Sequence, residues 1–135
     1  MFINFIVKDI SLTFNIPRPG LKKFLEVISD NAGRIVIMTT VPEDRFRKIA
    51  QHLVDQRVAP EWFVLVEYIN WQRPYKDLLQ IPDVNTPTEV LLVDDYEGYV
   101  RPDQKDRWIK IETFFDQGEK DRELLRVMEI LKAGN

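Results

Sequence analysis

A chain of 135 residues, 44% hydrophobic and 30% charged, is the size of one compact domain with its own core, and two domains would be cramped. With 19 basic residues against 22 acidic ones and a net charge of -3, it lacks the electrostatic footprint of a protein that grips a nucleic-acid backbone. The absence of cysteine excludes disulfides, thiolate metal sites and a cysteine nucleophile, and a single histidine excludes His-rich zinc sites, so any metal must be held by oxygen.

Phe2 to Val7 is a short apolar run rich in Ile, Val and Phe, the pattern of a strand buried on both faces. It is too short for a signal peptide or a membrane span, which predicts a cytoplasmic protein with no membrane partner. Ile10, Leu12, Phe14 and Ile16 then alternate with Asp9, Ser11, Thr13 and Asn15, predicting an extended segment with one wet face after a bend near Lys8 and Asp9.

Pro17 and Pro19 introduce a helix in which Leu21, Phe24, Leu25 and Ile28 fall at i, i+3, i+4 and i+7, with Gly33 as its stop. Arg34 to Met38 predicts a second buried strand. A second helix follows Thr39 and Thr40, with Pro42 near its start, acids in its first turn and an apolar stripe of Phe46, Ile49, Ala50 and Leu53. His52 lies on or beside that stripe and reads as a packed or half-exposed helix residue.

Trp62–Tyr68, Glu89–Val93 and Trp108–Ile111 predict the third, fourth and fifth strands, and YKDLLQI between the third and fourth allows little more than two helical turns. The closing run GEKDRELLRVMEILKAGN predicts a helix with a wide buried face of Leu124, Leu125, Val127, Met128, Ile130 and Leu131. Apolar strands alternating with helices imply an α/β domain over residues 1–135, with a central parallel sheet of about five strands and helices on both faces. Ligands bind such sheets at the carboxyl ends of the strands.

Few polar residues fall just after the strands: Asp9 after the first, Thr39 after the second, and Asp94 with Asp95 after the fourth, while Lys76 lies in the region between the third and fourth. Carboxylates, a hydroxyl and an ammonium gathered at one end of a sheet suit phosphate-monoester chemistry. Carboxylates hold a hard cation such as magnesium, the lysine and hydroxyl offset charge on phosphoryl oxygens, and one carboxylate can attack phosphorus. Taken singly these residues have plainer readings. An Asp after a strand commonly serves a turn, Thr39 or Thr40 can cap a helix, and a lone lysine is usually solvated. Trp62, Trp71 and Trp108 read as packing residues and not as a stacking platform for bases.

The order of the motifs is more specific than any one of them. DISLT (Asp9 to Thr13), IVIMTT, YKDLL and VLLVDD, each placed at or after an apolar strand, resemble the four-motif series of the haloacid dehalogenase superfamily. RPGLKKFL and the Lys76-Asp77-Leu78 triplet are similar to its NLI-interacting-factor-like phosphatase branch. The resemblance implies a Rossmann-like fold without a cap domain and a magnesium-dependent phosphohydrolase acting through an aspartyl-phosphate. It implies Asp9 as nucleophile, Thr39 and Lys76 as catalytic phosphate-binding groups, Thr13 as a structural residue of the first loop, and Asp9, Asp94 and Asp95 as metal ligands, Asp94 supporting either Lys76 or the metal. Ser11 departs from the pattern: the family places an aspartate there that protonates the leaving group and lends a backbone carbonyl to the metal. Serine keeps the carbonyl and loses the acid.

A rival placement makes Ile10 to Ile16 a flap strand that precedes RPGL, in which case the nucleophile is missing. The implied partner is a phosphorylated substrate, and an uncapped site suits a phosphate on a macromolecule. The alternative function is a phosphate- or metal-binding regulatory module on a decayed phosphatase scaffold, motivated by Ser11 and by Lys8. A phosphoacceptor receiver domain fits less well, because its acidic pair belongs after the first strand.

Overall fold

The structure, a computed structural model, describes residues 4–7, 19–112 and 121–133. Among the described residues five strands form one sheet: β1 (Asn4–Val7), β2 (Arg34–Ile37), β3 (Glu67–Tyr68), β4 (Val90–Asp94) and β5 (Trp108–Lys110), in the spatial order β3-β2-β1-β4-β5. Every neighbouring pair is parallel. β1 is central, with Phe5 opposite Ile35 on one side and Leu91 on the other.

Among the described residues three α-helices accompany the sheet: α1 (Leu21–Asn31), α2 (Glu43–Asp55) and α3 (Glu123–Ala133). In α1 the expected stripe of Leu21, Phe24, Leu25 and Ile28 is buried, and in α2 so are Phe46, Ile49, Ala50 and Leu53. α1 begins at Gly20, whose φ of +84° is a left-handed conformation that costs glycine little and other residues more. α2 has Pro42 at its N-cap and Glu43 and Asp44 in the first turn, where the amide dipoles favour negative charge.

Side chains alternate across the sheet and divide the interior in two. Ile35, Ile37, Leu91 and Val93 face the larger core, shared with all three α-helices. Val36, Met38, Val90 and Leu92 face a smaller one, closed by Ile69, Leu78, Ile81 and Val100. Helix cover on both faces is therefore corrected for the described residues: the second face is covered by short 3-10 turns at Leu78–Gln80, Pro87–Glu89, Glu97–Tyr99 and Pro102–Arg107. Pro74, Pro82, Pro87 and Pro102 punctuate this stretch, and proline inside an α-helix removes a hydrogen bond and clashes with the preceding turn.

Two further expectations change. Of the strand expected over Trp62–Tyr68, only Glu67 and Tyr68 pair; Glu61–Leu65 closes a 3-10 turn after Pro60, burying Phe63 and leaving Leu65 87% exposed. Side chains hold the short edge in place: the Arg34 guanidinium forks onto Glu67 with bonds of 2.8 and 2.5 Å, and Arg47 donates to the carbonyls of Val64 and Val66. The buried face of α3 is also narrower than its composition implies, with Leu124, Val127, Met128 and Leu131 inside but Leu125 and Ile130 exposed. His52 is exposed on α2. Among the described residues no helix is long and apolar enough to cross a membrane.

Adjacent leucines on α3 test this packing. Leu124 is fully buried and Leu125 is 43% exposed, so Leu124→Ala should cost about 2–5 kcal/mol of unfolding free energy and Leu125→Ala less than about 1 kcal/mol. Urea denaturation at unchanged m-value measures both, and equal losses would place the wrong face of α3 against the core.

Candidate functional site

The strand order reverses between β1 and β4: from β1 the chain moves outward to β2 and β3, then returns to lay β4 and β5 on the other side. At such a switch point the loops leaving neighbouring strands diverge and open a crevice at their carboxyl ends. Met38 and Thr39 follow β2 there, and β4 ends on Asp94 with Asp95 next in the chain.

Lys76 and Asp94 meet at this end of the sheet. Lys76 Nζ donates to Asp94 Oδ2 at 2.5 Å, and both side chains have 0% exposure. A lysine that its loop position would leave in solvent is instead wholly enclosed, and a buried ammonium is tolerated only beside a compensating charge. The other carboxylate oxygen of Asp94 accepts from the Tyr96 amide at 2.9 Å, and its backbone carbonyl accepts from Trp108 Nε1 and the Ile111 amide. Asp94 is thereby fixed in rotamer as well as in position.

The backbone around the lysine is held as firmly. The Lys76 amide donates to the Tyr99 carbonyl at 2.8 Å. Asp77 Oδ1 accepts from the Leu79 amide and from Gln104 Nε2, and Oδ2 accepts from Arg101. Gln104, itself buried, also accepts from the Leu78 amide through Oε1. The Lys-Asp-Leu triplet is thus a clamp in which the aspartate and its glutamine partner set the loop that aims the lysine.

Thr39 is buried, and its Oγ1 accepts from the Val41 amide at 3.2 Å, closing a small turn and making no helix cap. Its carbonyl accepts from Trp71 Nε1 at 3.0 Å. The indole links the second and third motifs, because Lys76 Nζ stands 5.5 Å from the Trp71 ring centroid and 5.3 Å from that of Tyr99. Trp71 and Tyr99 meet edge to face at 5.1 Å, and Tyr96 meets Tyr99 at 4.7 Å. Gly98 makes room for this arc, since a Cβ there would come within 2.5 Å of the Tyr96 ring.

Thr39, Lys76 and Asp94 are therefore gathered around one indole and one ion pair, with Asp95 adjoining. Asp9, Ser11 and Thr13 lie outside the described residues. Reading motifs alone overlooks Trp71, Tyr99 and Gln104. Trp71 stands five residues before Lys76 in the chain, whereas nothing in the sequence marks Tyr99 or Gln104 as a neighbour of the lysine.

Among the described residues no group of three or more His, Cys, Asp or Glu side chains is gathered for a metal ion. What they supply is the Asp94–Asp95 pair. Asp94 has both oxygens engaged, and Asp95 carries a buried carboxylate oxygen, Oδ1. An all-oxygen donor set of this kind fits magnesium, which binds through one or two carboxylates and keeps several waters.

Two measurements probe the site without a substrate. Lys76→Met removes the ammonium from the buried pair and should cost about 3–5 kcal/mol of stability, with part recovered in Lys76→Met/Asp94→Leu; a loss below about 1 kcal/mol in denaturant titration would remove the pair from its structural role. At Asp77, partial burial raises the carboxyl, but bonds from Gln104, the Leu79 amide and Arg101 outweigh it and hold the group below its ordinary value of 3.8. A carboxyl lowered by folding stabilises the native state above the unfolded value, and that contribution disappears as pH falls through the folded one. Asp77→Asn should accordingly flatten the acid limb of the stability curve below pH 3.8, and an unaltered limb would exclude the clamp.

Comparison with known families matches residues 4–135 to the NLI interacting factor-like phosphatases. Comparison with curated proteins finds no match. With the family pattern running across nearly the whole chain, and a buried lysine–aspartate pair at the carboxyl end of a parallel sheet, the chain belongs to the NLI interacting factor-like phosphatases of the haloacid dehalogenase superfamily.

Proposed function

We propose that the protein is a magnesium-dependent phosphohydrolase that works through an aspartyl-phosphate, attenuated by Ser11. The observation that carries this reading is the Lys76–Asp94 pair and Thr39 meeting around Trp71 beside the central strand, in a chain of phosphatase family. Asp9 follows the end of β1 by two residues. In this reading its carboxylate attacks phosphorus, the ester oxygen leaves, and water then cleaves the aspartyl-phosphate to release inorganic phosphate and restore Asp9.

Lys76 and the Thr39 hydroxyl take the phosphoryl oxygens, where a fixed charge and a fixed dipole stabilise the charge that develops in transfer. Asp94 is the anchor of Lys76. Thr13 closes the first loop. Asp9 and Asp95 would hold magnesium, with the Ser11 carbonyl beside them; the ion offsets charge on the phosphate. Only a few residues separate Thr13 from α1, which suits an uncapped site and a phosphate carried on a macromolecule.

Ser11 favours a second reading, a phosphate-binding module without turnover, because serine cannot protonate a departing oxygen. A lost general acid typically costs about 10²- to 10⁴-fold, most for poor leaving groups. The native chain should therefore hydrolyse an aryl phosphate slowly and an alkyl phosphate hardly at all. Ser11→Asp should raise the alkyl rate more than the aryl rate, and Asp9→Asn should remove both. If Ser11→Asp stays at the uncatalysed level while phosphate still binds, the module reading replaces the enzyme. If Asp9→Asn leaves a real activity intact, residues 10–16 are the flap and the nucleophile is misplaced. Millimolar magnesium should raise the melting temperature over chelator, and Asp95→Asn should shrink that shift more than Asp103→Asn.

A further inference from the structure

Arg73 lies three residues before Lys76 and is exposed. Its guanidinium carbon stands 5.5 Å from the ring centroids of both Trp71 and Tyr99, and Nη1 donates to the Tyr99 hydroxyl at 3.2 Å. These are the two rings that also border Lys76 Nζ. Two cations thus share one aromatic pair, one enclosed and one at the rim.

Their charges are balanced differently. Lys76 is met by Asp94 at 2.5 Å, and Arg101 nearby is met by Asp77 and Asp103. Arg73 has ring faces and a phenol for neighbours and no carboxylate partner among the described residues. Rings attract a cation and fix its place without neutralising it. A guanidinium carries five donors in a planar fork that matches a carboxylate or a phosphate, and this exposed one spends Nη1 on the Tyr99 hydroxyl. Holding it in advance on two rings lowers the ordering cost that a ligand would otherwise meet. The same occupancy argues against base stacking, since Arg73 and Lys76 both lie over these rings.

We infer that Arg73 is a specificity-determining residue that selects phosphomonoesters carrying a second anionic group next to the phosphate. The inference rests on the phosphate site proposed above: with Thr39 and Lys76 on the phosphoryl group, a cation at the rim of the same ring pair meets the substituent beside it. That second group can be a carboxylate of a small molecule or of an acidic side chain following a phosphorylated residue.

Equilibrium binding in magnesium, which needs no turnover, tests the selection. The ligands are inorganic phosphate, ethyl phosphate, phosphoglycolate, and two phosphoserine peptides that differ only in Glu or Gln after the phosphoserine. The native chain should bind phosphoglycolate over ethyl phosphate, or the Glu peptide over the Gln peptide, by about tenfold, the size of one charge-assisted contact. Arg73→Met should bring the preferred pair to within about twofold of each other, Arg73→Lys should restore part of the gap, and Lys48→Met, an exposed charge on α2, should preserve it. Preference in the small-molecule pair alone, or in the peptide pair alone, identifies which source carries the second anion. A preference that survives Arg73→Met, or no preference in a native chain that binds phosphate, overturns the assignment of Arg73 and leaves the phosphate site standing. Failure of the native chain to bind inorganic phosphate, or binding indifferent to Lys76→Met, overturns both.

Discussion

Burying an ammonium and a carboxylate together is costly unless each lies within hydrogen-bond reach of the other, and much of the architecture around Lys76 and Asp94 meets that condition. Asp94 is placed by β4, whose register against β1 and β5 is fixed by backbone pairing, and its carboxylate is held by the Tyr96 amide. Lys76 is placed from the opposite direction, by the Tyr99 carbonyl on its own amide and by the Asp77–Gln104 clamp on the residues after it. A shift in either support would separate the charges in a medium that screens them poorly. The pair therefore couples the end of β4 to the irregular stretch before it. A lysine so constrained presents its charge at one location, which is what electrostatic stabilisation of phosphoryl transfer requires.

Much of this was legible in the chain because hydrophobic period reports burial directly. The stripes Leu21–Phe24–Leu25–Ile28 and Phe46–Ile49–Ala50–Leu53 named the inner faces of two helices, and EVLLV named a strand that the structure places one residue later, over Val90–Asp94. Period fails where apolar residues are continuous. WFVLVEY has the composition of a strand, yet local closure after Pro60 turns most of it into a 3-10 segment and only its last two residues reach β2. Leu125 and Ile130 likewise satisfy the composition of a buried face without being on it.

The site shows the same division. Thr39, Lys76, Asp94 and Asp95 stand out because polar residues after apolar strands are few, and their order carries the family pattern. What the order cannot convey is which partner each polar atom takes. Nothing in the sequence says that Asp94 spends both oxygens on Lys76 and Tyr96, that the Trp71 indole reaches the Thr39 carbonyl, or that a glutamine 28 positions beyond Lys76 braces its loop. Apart from the Asp94–Tyr96 bond, which spans two residues, those are contacts between segments distant in the chain, and no local periodicity encodes them.

The division of the interior into two cores has a consequence for motion. The larger core is bounded by α1, α2 and α3, whose hydrogen bonds repeat along each helix and reinforce one another. The smaller core beneath the candidate site is bounded by 3-10 turns of three to six residues, tied down by single side chains such as Asp77, Gln104 and Arg107. Units with few cooperative backbone bonds open at lower free energy than helices packed on a sheet. Amide hydrogens of residues 76–89 and 95–107 then exchange with solvent through local opening, while those of the helical layer and of β4, paired on both sides, wait for global unfolding. The enclosed lysine gains intermittent access to water from that arrangement, and the scaffold that holds the sheet together is spared the disturbance.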